Sequence, residues 1–166
     1  MNSEYQDKTF LLFPGIKYDL TVLKLLNIGN DQRYFICADA NGLKHLIPEV
    51  YYRHYGIKPG DIIRCRLDRI NCLGRFFFEP DHPFYELHKT YQFTIKDFNK
   101  SEKNDPDYYT LIVEDVFGYE WETKPVQSTT VIPSDMRSVY CYVKALKKAR
   151  LYLELSDSRL KRSQSS

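Results

Sequence analysis

The sequence lacks the features that mark a membrane protein or a secreted protein. No apolar run approaches the roughly 18 residues that a membrane-spanning helix needs, and the chain is interrupted throughout by charged residues. The first ten residues, MNSEYQDKTF, do not show the charged start and apolar centre of a secretory signal. We therefore expect a soluble, cytoplasmic protein that does not associate with membranes.

Cysteine is scarce, and its spacing does not suit a metal. The four cysteines include no Cys-x-x-Cys pair, so we expect neither a zinc site nor any other cofactor. Cys37, Cys65 and Cys141 stand inside apolar, strand-like runs. A reduced cysteine in such a run behaves as a small apolar side chain, and we expect these three thiols to be reduced and buried.

The motifs of common enzyme classes are also missing. The sequence contains no HExxH, GxSxG, GxxxxGK[ST] or GxGxxG. His82 and His88 flank Glu86, but the spacing is loose and Pro83 lies between them. We propose no catalytic residues and predict that the protein is not an enzyme.

Aromatic residues, in contrast, are abundant. They make up 15% of the chain, with 14 Tyr and 10 Phe against one Trp. Tyrosine suits surfaces that are both apolar and hydrated. The formal net charge is only +2, so the total charge does not decide whether a partner is anionic, and the distribution of charge along the chain matters more.

The first half of the chain reads as a series of short strands. Apolar and alternating runs, separated by turns such as Asn41-Gly42, predict five of them. Their bounds are 17–26, 33–38, 43–47, 62–70 and 75–79. Pro48 to Gly56 is predicted to form one or two helical turns. Five strands with a short helix after the third describe an OB fold, a Greek-key barrel.

The same order of landmarks begins again after the Pro80 to Pro83 segment. Asp115 to Gly118 repeats Asp39 to Gly42 at an offset of about 75 residues, which indicates an internal repeat at domain scale. We therefore predict an all-β protein of two tandem OB barrels with short helical connectors. The predicted parts are an arm at 1–15, a first barrel at 16–84, a second at 85–156 and a disordered basic tail at 157–166.

The first copy resembles the ribosomal-protein-S-one type of RNA-binding domain, an OB-fold family. The resemblance is carried by Gly42-Leu43-Lys44-His45, Gly60-Asp61, the alternating strand from Ile62 and Gly74-Arg75. It covers residues 17–80, and the second copy follows through the internal repeat. The chain departs from the family at Asn71, where the family usually has Asp.

The resemblance implies that single-stranded RNA binds on the face of the second and third strands. The family uses aromatic residues, a histidine and a basic residue there. At the matching positions this chain has Tyr34 or Phe35, His45 and Arg75. Neighbours on a strand point to opposite faces, so only one of the two aromatic residues faces outward. In the second copy Trp121 and Arg150 stand where the first has His45 and Arg75.

Basic residues are concentrated between positions 44 and 75, where seven of them accompany only three acids. Alternation on the fourth predicted strand places Arg64 and Arg66 on one face. Single-stranded nucleic acid is bound by basic grooves and by rings that stack on bases. We therefore take Lys44, Arg64, Arg66 and Arg75 as candidate nucleic-acid-binding residues. The alternative is a solvated barrel exterior on which arginine serves solubility.

The second copy differs in charge. From Glu102 to Glu122, seven acids stand against the single Lys103, a distribution that repels phosphates. After Lys124 basic residues predominate. Either this barrel binds nucleic acid through its final hairpin and tail, or its acidic side contacts a basic protein.

The predicted function is non-catalytic binding of single-stranded nucleic acid, RNA in preference to DNA, with low sequence selectivity. Two alternatives stay open at this point. One is a module for protein–protein interaction or scaffolding, since OB barrels serve many functions. The other is a binder of a small ligand or oligosaccharide.

Overall fold

The structure, a computed structural model, describes residues 11–100 and 107–162. Within these ranges the chain is all-β, with thirteen strands and two single-turn 3-10 helices. Neither of these two helices has the length to cross a membrane. The chain divides into two compact units, Met1–Pro83 and Phe84–Ser166, each of which is described by itself.

The first unit is one antiparallel sheet that curls into a nearly closed barrel. Its strands are β1 (Lys17–Ile28), β2 (Gln32–Ala38), β3 (Lys44–Pro48), β4 (Ile62–Ile70) and β5 (Phe76–Pro80). Their order in the sheet is β3-β2-β1-β4-β5. The two edge strands approach each other, because the rings of His45 on β3 and Phe76 on β5 are 5.5 Å apart.

The long strand β1 makes this closure possible. Its first part pairs with β4, from Lys17 to Thr21, and its second part pairs with β2, up to Ile28. The register with β2 shifts between Val22 and Lys24. Such a bulge bends a strand and increases its twist, so one strand serves both halves of the barrel.

The connection between β3 and β4 consists of two 3-10 turns, Glu49–Tyr51 and Arg53–Tyr55. It ends at Gly56, whose φ of 71° lies in the left-handed region where glycine is favoured. The predicted helical turns at 48–56 are thus 3-10 turns. Tyr52, which joins them, is buried and anchors the connection.

The second unit repeats this strand order. Its strands are β6 (Thr90–Lys100), β7 (Tyr108–Glu114), β8 (Glu120–Glu122), β9 (Val126–Gln127), β10 (Thr130–Val131), β11 (Ser138–Lys147), β12 (Arg150–Leu155) and β13 (Lys161–Arg162). The main sheet has the order β12-β11-β6-β7-β8. A parallel bridge between Thr123 and Leu153 brings its two edges together.

The connector after β8 corrects the sequence prediction. The residues between β8 and β11 form the short strands β9 and β10 and no helix. Strand β9 pairs with β7, and β10 pairs with β13. The predicted helical connector of the second barrel is therefore wrong.

Each unit has an apolar interior built by the inward residues of its strands. In the first unit the inward positions of β4 are Cys65 and Leu67, which are fully buried. Cys37, Cys65 and Cys141 are free thiols and buried, as predicted. Burial raises the pKa of Cys37 to about 11 and that of Cys141 to about 12. These thiols therefore stay protonated and act as apolar side chains.

The predicted disordered tail is wrong for the part that the structure describes. Asp157 is buried and accepts a hydrogen bond of 3.1 Å from the backbone N–H of Tyr140. Residues Lys161–Arg162 form β13. Residues 163–166 of the tail and residues 1–10 of the predicted arm lie outside the described ranges. The end of the arm contacts the first unit, because the backbone N–H of Gly15 donates to the carbonyl of Leu67 at 2.7 Å.

Candidate nucleic-acid interface

Arg64 and Arg66 lie on the outer side of β4, as the alternation predicted, but each has an acidic neighbour. Arg64 Nη1 is 3.3 Å from Oδ1 of Asp19 on β1. Arg66 Nη2 is 3.6 Å from Oδ1 of Asp68. Because each guanidinium group is next to a carboxylate, it attracts a phosphate less strongly. The outer side of β4 at Arg64 and Arg66 is therefore a weak anion-binding surface.

Phe35 and His45 are buried, which contradicts their predicted role in stacking on bases. Their exposed fractions are 3% and 5%. His45 lies inside the barrel, 5.5 Å from the ring of Phe76 and 4.7 Å from that of Phe78. Tyr34 is the residue of the Tyr34-Phe35 pair that faces outward. It is half-buried, and its hydroxyl donates to Gln32 Oε1 at 2.9 Å.

His45 and Trp121 occupy equivalent places in the two units. His45 is opposite Cys37 on β2, and Trp121 is opposite Val113 on β7. His45 Nε2 lies 2.9 Å from a carboxylate oxygen of Asp39. The indole N–H of Trp121 donates to Asp115 at 2.8 Å, so this ring holds a turn in place and its nitrogen is already bound.

Arg75 takes part in the first combination of exposed guanidinium groups with a half-buried ring. Its Cζ lies 5.4 Å from the centre of the Phe77 ring, and Arg69 Cζ lies 4.6 Å from the same ring. We call Arg69, Arg75 and Phe77 the first hairpin cluster. A cation over a ring at such distances contributes roughly 0.5–1 kcal/mol at an exposed site.

The sequence of β4 and β5 explains why these three side chains meet. Phe76 and Phe78 point inward to His45, so Phe77 between them points outward. The register places Arg69 directly opposite Phe77. Arg75 precedes Phe77 by two positions and therefore lies on the same side.

The turn of this hairpin is formed by Asn71. Its side-chain oxygen accepts the backbone N–H groups of Leu73 at 3.0 Å and Arg75 at 2.8 Å. Gly74 adopts a φ of 73°, a conformation that suits glycine. An Asn side chain performs this turn-forming role as an Asp does, so the departure at position 71 leaves the turn intact.

The charges of the first hairpin cluster are free of ion pairs. Over the described residues, neither Arg69 nor Arg75 lies within salt-bridge distance of a carboxylate, whereas Arg64 and Arg66 do. Both cluster arginines are exposed. They are therefore available to an anion.

Lys44 lies on β3, the edge strand that approaches β5. It is exposed and precedes His45, whose ring contacts Phe76, the residue before Phe77. Lys44 and Phe77 therefore both point to the outer side of the sheet, on its two edge strands. Lys44 is opposite Ala38 on β2, and Tyr34 is four positions from Ala38, which corresponds to about 13 Å along the strand.

The outer surface between Lys44 and Tyr34 is aliphatic. Ile36 and Leu46 are opposite each other there, and Leu46 is exposed. Tyr34 is opposite Leu26 on β1. We call the surface of Tyr34, Ile36, Leu46 and Leu26 the aliphatic face.

The predicted single face that combines Arg64 and Arg66 with Tyr34 is wrong. Arg64 is opposite Asp19 on β1, and Tyr34 is opposite Leu26. Asp19 and Leu26 are seven positions apart on β1, which corresponds to about 23 Å along the strand and separates Arg64 from Tyr34. The structure brings Arg75 together with two residues that were not selected from the sequence, Arg69 and Phe77. Assigning Phe78 to the core would have identified Phe77 as the outward ring.

The second unit contains a matching pair on its last hairpin. Arg150 Cζ lies 5.4 Å from the ring centre of Tyr152, and both residues are exposed. On β8, however, its outer positions are acidic. Glu120 is the counterpart of Lys44, and Glu122 is that of Leu46, because Glu122 is opposite Ile112 as Leu46 is opposite Ile36.

No protein-family model matches the chain, and no curated protein matches it either. Among the residues that the structure describes, no three His, Cys, Asp or Glu side chains are grouped so that they could hold a metal ion. The first hairpin cluster and the aliphatic face are therefore the features from which a function can be inferred.

Proposed function

We propose that the protein binds single-stranded nucleic acid, RNA in preference to DNA, and catalyses no reaction. The observation that carries the proposal is the first hairpin cluster. In it, two guanidinium groups that have no salt bridge to any described residue lie 4.6 and 5.4 Å from the centre of one outward ring. A base stacks on such a ring or on the guanidinium plane, and phosphates bind the charges.

The proposed fold of each unit is an OB barrel, the first of the ribosomal-protein-S-one type. Both sheets have the same strand order, and in both the two edge strands approach each other. In OB folds the loop between the fourth and fifth strands, together with the face of the second and third, binds oligonucleotides. The first hairpin cluster is at the corresponding loop, which supports the assignment.

The proposed path of the bound strand begins at the first hairpin cluster, passes Lys44 and crosses the aliphatic face to Tyr34. Ring faces and aliphatic side chains contact bases of any identity, and phosphate contacts carry no sequence information. We therefore expect low sequence selectivity. The preference for RNA rests on the family resemblance.

The test is a titration of the full chain with single-stranded oligo-uridine and oligo-thymidine at several salt concentrations. The variant Arg69→Ala/Arg75→Ala removes the unpaired charges, and we expect its logarithmic salt slope to fall by about 1.4, since each phosphate contact contributes about 0.7. Phe77→Ala removes the stacking surface and should weaken binding by about 1–3 kcal/mol.

The control is Arg64→Ala, which removes one guanidinium charge, from a residue already paired with Asp19. We expect its affinity to stay within about twofold of wild type. Equal losses in Arg64→Ala and the Arg69/Arg75 variant would refute the site. Absence of binding by the wild-type protein at low salt would refute the function.

A second candidate function, a protein-interaction module, is favoured by the aliphatic face. Leu26 and Leu46 are 37% and 36% exposed, and Val50 next to this face is 55% exposed. Apolar surface of this kind is typical of contacts with other proteins. The substitution Leu46→Lys separates the two functions: it strengthens RNA binding if a strand crosses this face and leaves RNA affinity unchanged if a protein partner occupies it.

A further inference from the structure

The last hairpin of the second unit, formed by β11 and β12, repeats the geometry of the first hairpin cluster. Arg150 is two positions before Tyr152, as Arg75 is before Phe77, and both guanidinium-to-ring distances are 5.4 Å. Tyr152 is 43% exposed. The ring is therefore accessible to a base.

The turn of this hairpin is strained in a way that the first is not. Lys148 and Ala149 have φ values of 50° and 62°, and both lie between Lys147 and Arg150, which are paired. A two-residue turn with positive φ at both positions strongly favours Asn-Gly. Strained residues of this kind cluster at binding sites, and here the strain keeps a lysine at the tip.

The charges of this hairpin are exposed and close in sequence. Lys147, Lys148 and Arg150 are all exposed, and within the described ranges Arg150 is not part of a salt bridge. Arg159 provides a contrast within the same unit. Its Cζ lies 5.3 Å from the Tyr140 ring, but its guanidinium donates to Asp157 at 2.9 Å, so its charge is already neutralised.

We infer that Lys147, Lys148, Arg150 and Tyr152, the second hairpin cluster, form a second binding point for single-stranded nucleic acid. A base stacks on Tyr152 and the neighbouring phosphates bind Arg150 and the two lysines. The inference rests on the proposed function of the first hairpin cluster. It extends that function to a unit that has Glu120 and Glu122 at the positions equivalent to Lys44 and Leu46.

Two neighbouring glutamates restrict where a nucleic-acid strand can pass the second hairpin cluster. Arg150 lines a surface depression together with Ile112, Glu120, Trp121 and Glu122. The two carboxylates repel phosphates, so the strand passes on the lysine side of the hairpin. Replacing both by glutamine keeps the size of the side chains and removes the repulsion, and we expect tighter RNA binding at this point.

The experiment uses the full chain with the first hairpin cluster removed by Arg69→Ala/Arg75→Ala/Phe77→Ala. In this background we expect measurable binding of oligo-uridine at low salt. Adding Arg150→Ala/Tyr152→Ala should abolish it, while adding Lys89→Ala should not. Lys89 is an exposed lysine of the same unit whose charge is paired with Glu86 at 2.7 Å.

The substitution Lys148→Asn gives a second measurement that a folding defect cannot imitate. Asparagine tolerates positive φ better than lysine, so we expect the melting temperature to rise. In the same background we expect RNA affinity to fall and its logarithmic salt slope to decrease by about 0.7, as for the loss of one phosphate contact. A more stable variant with unchanged affinity would refute the role of the tip.

The outcomes separate the two proposals. If the wild-type protein does not bind, both are refuted. If the wild type binds and Arg69→Ala/Arg75→Ala/Phe77→Ala removes all binding, the proposal for the first hairpin cluster is supported and that for the second is refuted. Residual binding that survives Arg150→Ala/Tyr152→Ala also refutes the second.

Discussion

A single aspartate in each unit organises the turn between two strands and the ring beyond it. One carboxylate oxygen of Asp115 accepts the backbone N–H groups of Phe117 at 2.8 Å and Tyr119 at 3.0 Å. Its other oxygen accepts the indole N–H of Trp121. Asp39 makes the corresponding contacts with Asn41, Leu43 and His45. The ring at this position is His45 in the first unit and Trp121 in the second, but in both units an aspartate at the start of the preceding turn binds its nitrogen.

This arrangement predicts that Asp115→Ala is strongly destabilising. The substitution leaves three donors without their acceptor, and a hydrogen bond to a charged group contributes about 1.5–3 kcal/mol. We expect the free energy of unfolding to fall by about 2–4 kcal/mol, measured by urea denaturation with Trp121 fluorescence. Asp135→Ala, at an exposed carboxylate of the same unit, serves as the control and should change stability by less than about 0.5 kcal/mol. Similar losses in both variants would contradict the assigned role.

Asp157 predicts a defined pH dependence of stability. Hydrogen bonds from the Arg159 side chain, with backbone donors from Arg159 and Tyr140, lower the pKa of Asp157 from 3.8 to about 2. Because the folded pKa is depressed, the stabilisation is present above the unfolded pKa of 3.8 and is lost as pH falls through about 2. Wild type should therefore exceed Asp157→Asn in stability at pH 5, with the difference shrinking between pH 4 and pH 2. A difference that is constant with pH would contradict this account.

At the scale of strands and turns, the sequence allowed the long elements to be predicted and the short ones not. The predicted bounds of β4 agree with the structure because alternation of apolar and polar residues from Ile63 to Asp68 covers most of the strand. Strands β9, β10 and β13 have two residues each. Two residues contain no period, so only the pairing partner defines such a strand.

The candidate site shows the same division between local and non-local information. The outward position of Arg64 follows from alternation alone. Its ion pair with Asp19 depends on the register between β1 and β4, and the sequence of β4 does not contain that register. For the same reason, the predicted face combined Arg64 with Tyr34. In the structure these two residues are far apart, because β1 pairs with β4 near Arg64 and with β2 near Tyr34.

His45 shows how a family pattern misleads when a residue's burial depends on closure of the barrel. On β3 alone, a histidine after an Asn-Gly turn has no reason to face inward rather than outward. The approach of β5 places Phe76 and Phe78 around it, and only the closed sheet reveals this contact. The residue that the resemblance assigned to RNA is part of the core in this chain.

At the scale of the whole chain, the two units share one plan and differ in surface charge. Lys44 and Leu46 of the first unit correspond to Glu120 and Glu122 of the second. Carboxylates at these positions repel phosphates, so the second unit lacks the basic and aliphatic path that is proposed along Lys44 and Leu46 of the first. Charge at equivalent positions, rather than fold, therefore distinguishes what each unit can bind.

Each unit also has its own core, and the chain offers a separate probe for each. The only tryptophan, Trp121, belongs to the second unit, and the exposed thiol of Cys72 belongs to the first. A dye on Cys72 and the intrinsic fluorescence of Trp121 therefore report on the two units independently. Cys37, Cys65 and Cys141 are buried and should not react with the dye reagent in the folded protein.

A pair of matched core substitutions tests this independence. Leu67 in the first unit and Leu111 in the second are both fully buried, and Leu→Ala at such sites costs about 2–5 kcal/mol. We expect Leu67→Ala to lower the urea midpoint reported by the dye on Cys72 more than the midpoint reported by Trp121, and Leu111→Ala to do the reverse. Equal shifts of both probes in either variant would mean that the chain unfolds as one cooperative unit. If each unit is stabilised by its own core, each variant should mainly shift the midpoint of the probe in its own unit.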